Sequence, residues 1–301
     1  MLAIIIPYYK FTFLDATLFS LAEQTCQDFK VYVGDDASPE NPVDLLKKYE
    51  GKFDFEYHRF HNNIGGISLF QQWERCIALT GNEQWLMILG DDDVLGKNVV
   101  EEFYKNLPVV GKEGINVVRF ATQVIDGAGK SISGIYEHPK LEKATDSFLR
   151  KFKGKTRSSL SEYIFSRDSY LKVGFRDYPL AWHSDDMAWL EFADGNPILS
   201  INMAKTFIRV STASISGKED NLEQKAKATF MFYEAIANDY LSLFDKKQSL
   251  KILAKVESQF FKVKQKTLFF KIVKYHLKHT DTINLVKFFR RIYINWKTCN
   301  H

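Results

Sequence analysis

The sequence reads as an α/β protein: a sheet flanked by helices, followed by a helical extension. Three observations support this. Over the first hundred residues, short apolar runs alternate with amphipathic segments, the pattern of strands joined by crossover helices. Two of those runs end in acidic clusters, Asp35-Asp36 and Asp91-Asp92-Asp93, at the position where open α/β sheets bind ligands. From about residue 221 onward the periodicity is helical throughout. A chain of 301 residues with 45% hydrophobic content can bury one large core and a smaller appendage. We place an α/β domain at residues 1–215 and a basic, amphipathic helical extension at 216–301.

Ala3 to Pro7 is the first predicted strand. It is apolar, but it follows no basic segment, is cut short by Pro7 and precedes no small-residue cleavage site, so it reads as core and not as a signal peptide. Leu14, Leu18 and Leu21 share a face of the helix that follows, and Phe29 to Gly34 forms a second strand ending in Asp35-Asp36-Ala37-Ser38-Pro39. A strand over Phe55 to Phe60 and a helix over Ser68 to Ala78 come next, then a buried strand over Trp85 to Leu89. The middle of the chain is less regular. Strands are expected at Asn116 to Thr122 and Ser161 to Phe165, the second preceded by a polar, basic segment from Lys151 to Ser159. Ser184 is placed to cap a helix whose first turn carries Asp185 and Asp186. Ile198 to Val210 reads as a further strand, with a flexible-looking loop from Ser211 to Gly217 behind it. Beyond it, Phe230, Tyr233, Ala237 and Tyr240 form one apolar stripe, and Leu250, Leu253, Val256, Phe260, Val263, Thr267 and Phe270 form another.

The net charge of +4 is unevenly spread: Lys and Arg crowd the last fifth of the chain, which leaves the remainder mildly acidic. A nucleic-acid binder is therefore disfavoured for the protein as a whole. Cys26, Cys76 and Cys299 lie far apart without metal-ligand spacing, which fits a reducing cytoplasm better than a disulfide framework. No run approaches the eighteen or so uncharged apolar residues of a membrane span.

Five apolar residues, Trp85 to Leu89, lead into Gly90 and then three consecutive carboxylates. Adjacent anions repel one another and need a counter-charge. Hard oxygen ligands of this kind suit Mg²⁺ or Mn²⁺ held together with substrate phosphates, which points to a metal-assisted transferase acting on a nucleoside-diphosphate substrate.

Five pieces in order, Ile4-Ile5-Ile6-Pro7-Tyr8-Tyr9, Val33-Gly34-Asp35-Asp36-Ala37-Ser38, Asn62-Asn63-Ile64-Gly65-Gly66, Leu89-Gly90-Asp91-Asp92-Asp93 and Ser184-Asp185-Asp186 ahead of Trp189, resemble the family 2 glycosyltransferases. The resemblance covers roughly residues 1 to 215 and implies the GT-A fold, a Rossmann-like mixed sheet flanked by helices. It implies an inverting enzyme that uses a nucleotide-sugar co-substrate, with UDP the expected nucleotide, and a divalent metal. The acceptor would be a glycan or a lipid-linked oligosaccharide in surface polysaccharide synthesis.

On that resemblance Pro7 and Tyr9 lie beside the base and ribose, and Asp36 or Asp35 accepts a hydrogen bond from the pyrimidine ring. Asn63, Gly65 and Gly66 would let the backbone approach the nucleotide closely. Many relatives carry Asp where this chain has Gly90, so the ribose and metal contacts fall to Asp91, Asp92 and Asp93, with Asp92 or Asp93 as direct metal ligand. Asp186, with Asp185 as its rival, matches the general base that deprotonates the acceptor hydroxyl. His183 and Trp182 stand beside it, and Trp189 reads as core. Arg209 and the 211–217 loop match a mobile segment over the diphosphate, where Arg can clamp phosphate.

The tail sets Lys and Arg around apolar stripes. That design either lies on an anionic membrane surface, which would make the enzyme a peripheral protein of the cytoplasmic face, or packs on the catalytic domain. A competing reading is a non-catalytic nucleotide-fold scaffold that binds membrane or nucleic acid through the tail. Metal-dependent hydrolysis of a sugar nucleotide separates the two.

Overall fold

The computed structural model describes residues 1–211, 221–263, 266–279 and 282–299. It falls into two compact units, Met1–Leu222 and Glu223–His301. The expected boundary at 215/216 and most of the 211–217 loop lie outside the described residues.

In the first unit the crossovers run β1 (Leu2–Tyr8), α1 (Leu14–Ala22), β2 (Phe29–Asp35), α2 (Val43–Lys47), β3 (Asp54–Arg59), α3 (Leu69–Ile77) and β4 (Trp85–Ile88). These four strands are parallel and lie side by side in the order β3-β2-β1-β4. Strand β1 alternates its buried side chains between two cores, because successive residues point to opposite faces. Leu2, Ile4, Ile6 and Tyr8 pack with Leu14, Leu18 and Leu21 of α1, whereas Ala3 and Ile5 pack with Trp73 and Cys76 of α3. The helix predicted over Ser68 to Ala78 begins after Ser68, whose hydroxyl accepts from the Gln71 N–H.

The sheet then turns mixed. After β5 (Val94–Leu95) and α4 (Val99–Glu113) come β6 (Val117–Ile125), β7 (Ser131–Tyr136), β8 (Leu141–Lys143), α5 (Ala144–Phe152), β9 (Tyr163–Ser166), α6 (Arg167–Val173), α7 (Ser184–Phe192) and β10 (Pro197–Arg209). Among the described residues one sheet of ten strands results, in which β9 runs antiparallel to both β4 and β6. This is the mixed sheet that the resemblance implies. The strand expected from Ser161 starts instead at Tyr163, because Leu160–Glu162 forms a 3₁₀ turn closed by a reciprocal Ser159–Glu162 capping box.

A buried ionic cluster fixes α5 to the sheet. Arg119 of β6, only 1% exposed, donates to Glu142 Oε2 (2.8 Å) and to the hydroxyls of Ser147 and Ser200. Arg150 of α5 donates to both oxygens of the same carboxylate. Helix α5 matters because its next residue, Lys151, reaches the candidate site.

The second unit holds α8 (Leu222–Ala235), α9 (Lys246–Val263), α10 (Lys266–His279) and α11 (Thr282–Cys299). In the first expected stripe Phe230, Tyr233 and Ala237 are buried. Tyr240 is only half-buried, because a π-helical turn over Ile236–Tyr240 shifts the periodicity. In the second, Leu253 and Val256 are buried, but Phe270 is 69% exposed. The expected stripe from Leu250 to Phe270 is divided between two helices, α9 ending at Val263 and α10 starting at Lys266. The side chains of Phe260, Val263 and Thr267 lie outside the described residues. Glu257 of α9 joins the three last helices: His276 of α10 hydrogen-bonds it at 2.7 Å and Arg291 of α11 pairs with its other oxygen.

Candidate active site

Strands β1 and β2 end together, Pro7 opposite Gly34 and Tyr8 opposite Asp35, so the loops beyond them share one crevice with the turn after β4. Tyr8 is buried and donates to the Glu40 carbonyl (2.7 Å), while Tyr9 is 40% exposed and Pro7 is half-buried. An exposed Tyr ring at this edge is free to stack on a base or ribose.

The two aspartates after β2 have separate tasks. Asp35 is wholly buried; its oxygens accept from Ser38 N–H (2.7 Å), Tyr57 hydroxyl (2.6 Å) and Arg59 Nη1 (2.7 Å). It fixes the turn, which passes through a left-handed Ala37 (φ 51°). Asp36 accepts from the N–H groups of Ile64 (2.8 Å) and Gly65 (2.9 Å) and pairs with Arg75, which stacks on Phe60. A carboxylate offers about four lone-pair sites, so three donors leave Asp36 room for one more. The glycine at 65 serves this carboxylate directly: a Cβ there would stand 2.5 Å from Asp36 Oδ2. Sequence reasoning expected that close approach of the nucleotide; among the described residues this glycine makes it to Asp36. Asn63 likewise turns inward, its Oδ1 accepting from Gly66 N–H at 2.8 Å.

The acidic turn after β4 divides its three carboxylates. Asp91 Oδ2 accepts from the N–H groups of Tyr9 and Lys10, each at 2.8 Å, and so clamps the loop after β1. Asp93 is buried, with Oδ1 taken by Arg209 N–H (2.8 Å) and Oδ2 by the Ser161 hydroxyl (2.6 Å). Among the described residues no side chain hydrogen-bonds the Asp92 carboxylate, although the charges of Lys10 and Arg209 reach it. Burial, and then the neighbouring Asp92 charge, push the Asp91 carboxyl up to about 6 and that of Asp93 up to about 7. Negative charge is thus concentrated here. A Cβ added to Gly90 would lie 3.0 Å from Asp92 Oδ1 and 3.1 Å from Asp93 Oδ2, so a larger residue would crowd both carboxylates. Among the described residues no three His, Cys, Asp or Glu side chains are grouped so as to hold a metal ion by themselves.

Helix α7 opens with Ser184-Asp185-Asp186. The expected Ser184 cap does not form. His183 takes the cap position in a left-handed conformation (φ 71°), and the buried Ser184 hydroxyl has no hydrogen-bond partner among the described residues. Leu180 and Ala181 also have positive φ, at 59° and 49°, a strained run for residues that carry a Cβ. It aims Asp186 at two side chains: Lys151 pairs with Oδ1, and His183 Nδ1 lies 2.7 Å from Oδ2. Burial alone would raise the Asp186 carboxyl, but Lys151 and then His183 outweigh it and hold that group below the usual range. Burial and the Asp186 charge push Asp185 the other way, upward. Trp189 is core, stacked on Tyr163 at 4.0 Å between ring centres.

Arg209 differs most from its expected role. It is 6% exposed, its Nε and Nη1 donate to the carbonyls of Asp92 (2.9 Å), Asp126 (2.8 Å) and Gly127 (3.3 Å), and it stacks on Phe13 at 4.4 Å. These contacts make it a tie that holds the acidic turn, where a phosphate clamp had been expected. Lys10, Arg75, Lys151 and Ser161 were not singled out from the sequence. Only the basic stretch from residue 151 hinted at one of them.

The model of the family described as "Glycosyl transferase family 2" matches residues 3–168, more than half of the chain. The chain belongs to glycosyltransferase family 2. Among solved structures it is similar to S. aureus TarS 1–349 in complex with UDP-GlcNAc, at TM-score 0.65 and 14% identity, covering 91% of this chain and 79% of that one. The same protein in complex with UDP gives TM-score 0.61 at 14% identity, over 87% of this chain and 72% of that one. GalNAc-T7 with UDP, GalNAc and Mn²⁺ gives TM-score 0.52 at 12% identity, over 88% and 56%. At such identities the likeness concerns the fold, which is GT-A. No curated protein matches the sequence.

Proposed function

We propose that this family 2 member is an inverting, metal-dependent glycosyltransferase that moves a sugar from a UDP-sugar to a hydroxyl of a glycan or lipid-linked acceptor in surface polysaccharide synthesis. The observation that carries the reading is the set of carboxylates beyond the ends of neighbouring parallel strands, Asp36 after β2 and Asp91–Asp93 after β4, with Asp91 holding the loop that follows β1. Asp36 retains an acceptor site for the uracil N–H. Tyr9, with Pro7 beside it, offers a face to the nucleoside. Asp92, to whose carboxylate no other described residue donates a hydrogen bond, fits a hard cation, with Asp93 next to it and the remaining ligands drawn from the diphosphate. When bound, such an ion supplies a Lewis acid that neutralises charge on the departing diphosphate.

Asp186 takes the acceptor's proton, and His183 fixes the direction of its carboxylate. Its pairing with Lys151 keeps it ionised but weakens it as a base, so the acceptor hydroxyl has to displace Lys151 before transfer. The reading is tested by incubating the protein with UDP-sugars: UDP should be released, and a chelator should stop the release. Turnover that ignores the chelator would remove the metal from the reaction.

The second unit supports attachment to an anionic membrane surface at the cytoplasmic face. Helices α10 and α11 contain no acidic residue, and the one acid of α9, Glu257, is buried. Helix α11 exposes Ile283, Val286, Phe289, Tyr293 and Ile294 beside its Lys and Arg. Among the described residues no helix is long and apolar enough to cross a membrane. The double substitution Val286→Glu, Tyr293→Glu should reduce sedimentation with phosphatidylglycerol liposomes several-fold without altering UDP release. Unchanged sedimentation would leave the stripe without a lipid role.

A further inference from the structure

Lys151 loses its partner at the moment Asp186 is used. The acceptor hydroxyl takes the place of the ammonium at the carboxylate, and the ammonium then needs another anion. The Asp186 side chain is 8% exposed and that of Lys151 33%, so neither ion is fully hydrated, and separating them leaves a cation poorly compensated. Its one further polar contact among the described residues is the Ser158 carbonyl, 3.5 Å from Nζ. A neutral acceptor gives Lys151 nothing in exchange for the carboxylate, whereas an anionic group beside the hydroxyl does.

The chain that follows Lys151 carries more positive charge. From Ser147 to Ser161 it holds Arg150, Lys151, Lys153, Lys155 and Arg157 and no acid. Arg150 is committed to Glu142. Helix α5 ends in a tight turn: the N–H of Gly154, at φ 66°, donates to the Lys151 carbonyl (2.8 Å), and the N–H of Lys155 to the Arg150 carbonyl (2.9 Å). This fold-back sets Lys153 and Lys155 within one turn of Lys151. Both are exposed, and among the described residues neither forms an ion pair. A run of lysines is commonly no more than a solvated surface; this one begins at the partner of the base.

We propose that the acceptor is an anionic glycan, with a phosphate or carboxylate group close to the hydroxyl that receives the sugar, and that Lys151, Lys153 and Lys155 bind it. This names the acceptor class of the glycosyltransferase reading above and rests on that reading. Lys151 moves from Asp186 to the acceptor's anion as the hydroxyl hydrogen-bonds the freed carboxylate, so the base is released for an acceptor of the right charge and withheld from a neutral one. Lys153 and Lys155, on the exposed turn, attract the further anionic groups of the same chain.

The test is calorimetric titration of the full chain at low salt with oligogalacturonate as carboxylate probe, short-chain polyphosphate as phosphate probe and neutral dextran, with UDP in MnCl₂ titrated in parallel. Wild type should bind an anionic probe and not dextran, the tighter of the two naming the group. Lys153→Gln combined with Lys155→Gln should weaken that probe by about fivefold or more and leave UDP unchanged. Asp186→Asn, which releases Lys151, should tighten it several-fold, and adding Lys151→Gln should abolish the gain. A probe held equally well without Lys153 and Lys155 sits elsewhere on the chain. No gain in Asp186→Asn, or a gain that survives Lys151→Gln, means that Lys151 does not serve the anion. Each of these results overturns the proposal, as does wild type that binds neither anion or binds dextran as tightly. Wild type that binds no UDP overturns the donor reading itself, whereas UDP bound normally beside any of the failures above overturns this inference alone. Thermal unfolding of each variant checks that the fold survives.

Discussion

Asp92→Asn should abolish metal-dependent release of UDP from a UDP-sugar, a loss of about 10²-fold to 10³-fold or more, the size seen when one preorganised charge is removed from a transition state. The substitution removes the carboxylate of the acidic turn to which no other described residue donates a hydrogen bond, and with it the anchor for a divalent cation. Its melting temperature should stay close to wild type, because Asp92 contributes little to the fold. Asp93→Asn is expected to behave differently. It disturbs the bonds to Ser161 and to the Arg209 backbone, so it should lose stability as well as activity. Full UDP release by the Asp92→Asn protein would sink the metal assignment.

Asp186→Asn should stop transfer, by about 10²-fold to 10⁴-fold for loss of a general base, while UDP binding stays nearly intact. The pH dependence separates it from Asp185. A base with a lowered pKa stays ionised as the medium becomes mildly acidic, so Asp186 by itself sets no acid limb above the ordinary carboxylate range. Asp185 is raised, and a base of that kind would be protonated earlier on the way down, giving an acid limb above that range. Such a limb, together with transfer retained by Asp186→Asn, would give the role to Asp185.

The strands were legible because their signal is local. The apolar run from Leu2 to Tyr8 and the run from Trp85 are buried in the sheet centre, and acidic residues at their ends mark where the crevice opens. The order of the five motif pieces carried the family. What could not be read was the pairing of charges across the fold. Lys151 meets Asp186 thirty-five residues away, and Ser161 meets Asp93 across sixty-eight, with nothing local in either segment to announce the contact. Arg209 was matched to a diphosphate clamp, yet its Nη1 donates to the carbonyls of Asp126 and Gly127. The left-handed run before α7 was also hidden, since Leu180, Ala181 and His183 carry none of the glycine that commonly signals positive φ. Gly90 shows the reverse case: a departure from the family pattern noticed in the sequence, whose physical reason is the room that Asp92 and Asp93 need.

The most direct measurement is thermal unfolding of the purified protein with UDP, GDP, CMP or dTDP, each with Mn²⁺ and with a chelator, because a ligand that binds the folded state raises its apparent stability. A shift of several degrees for UDP alone, present with Mn²⁺ and lost with the chelator, is the predicted result. No shift with any nucleotide in either condition would contradict a donor site at the ends of β1, β2 and β4.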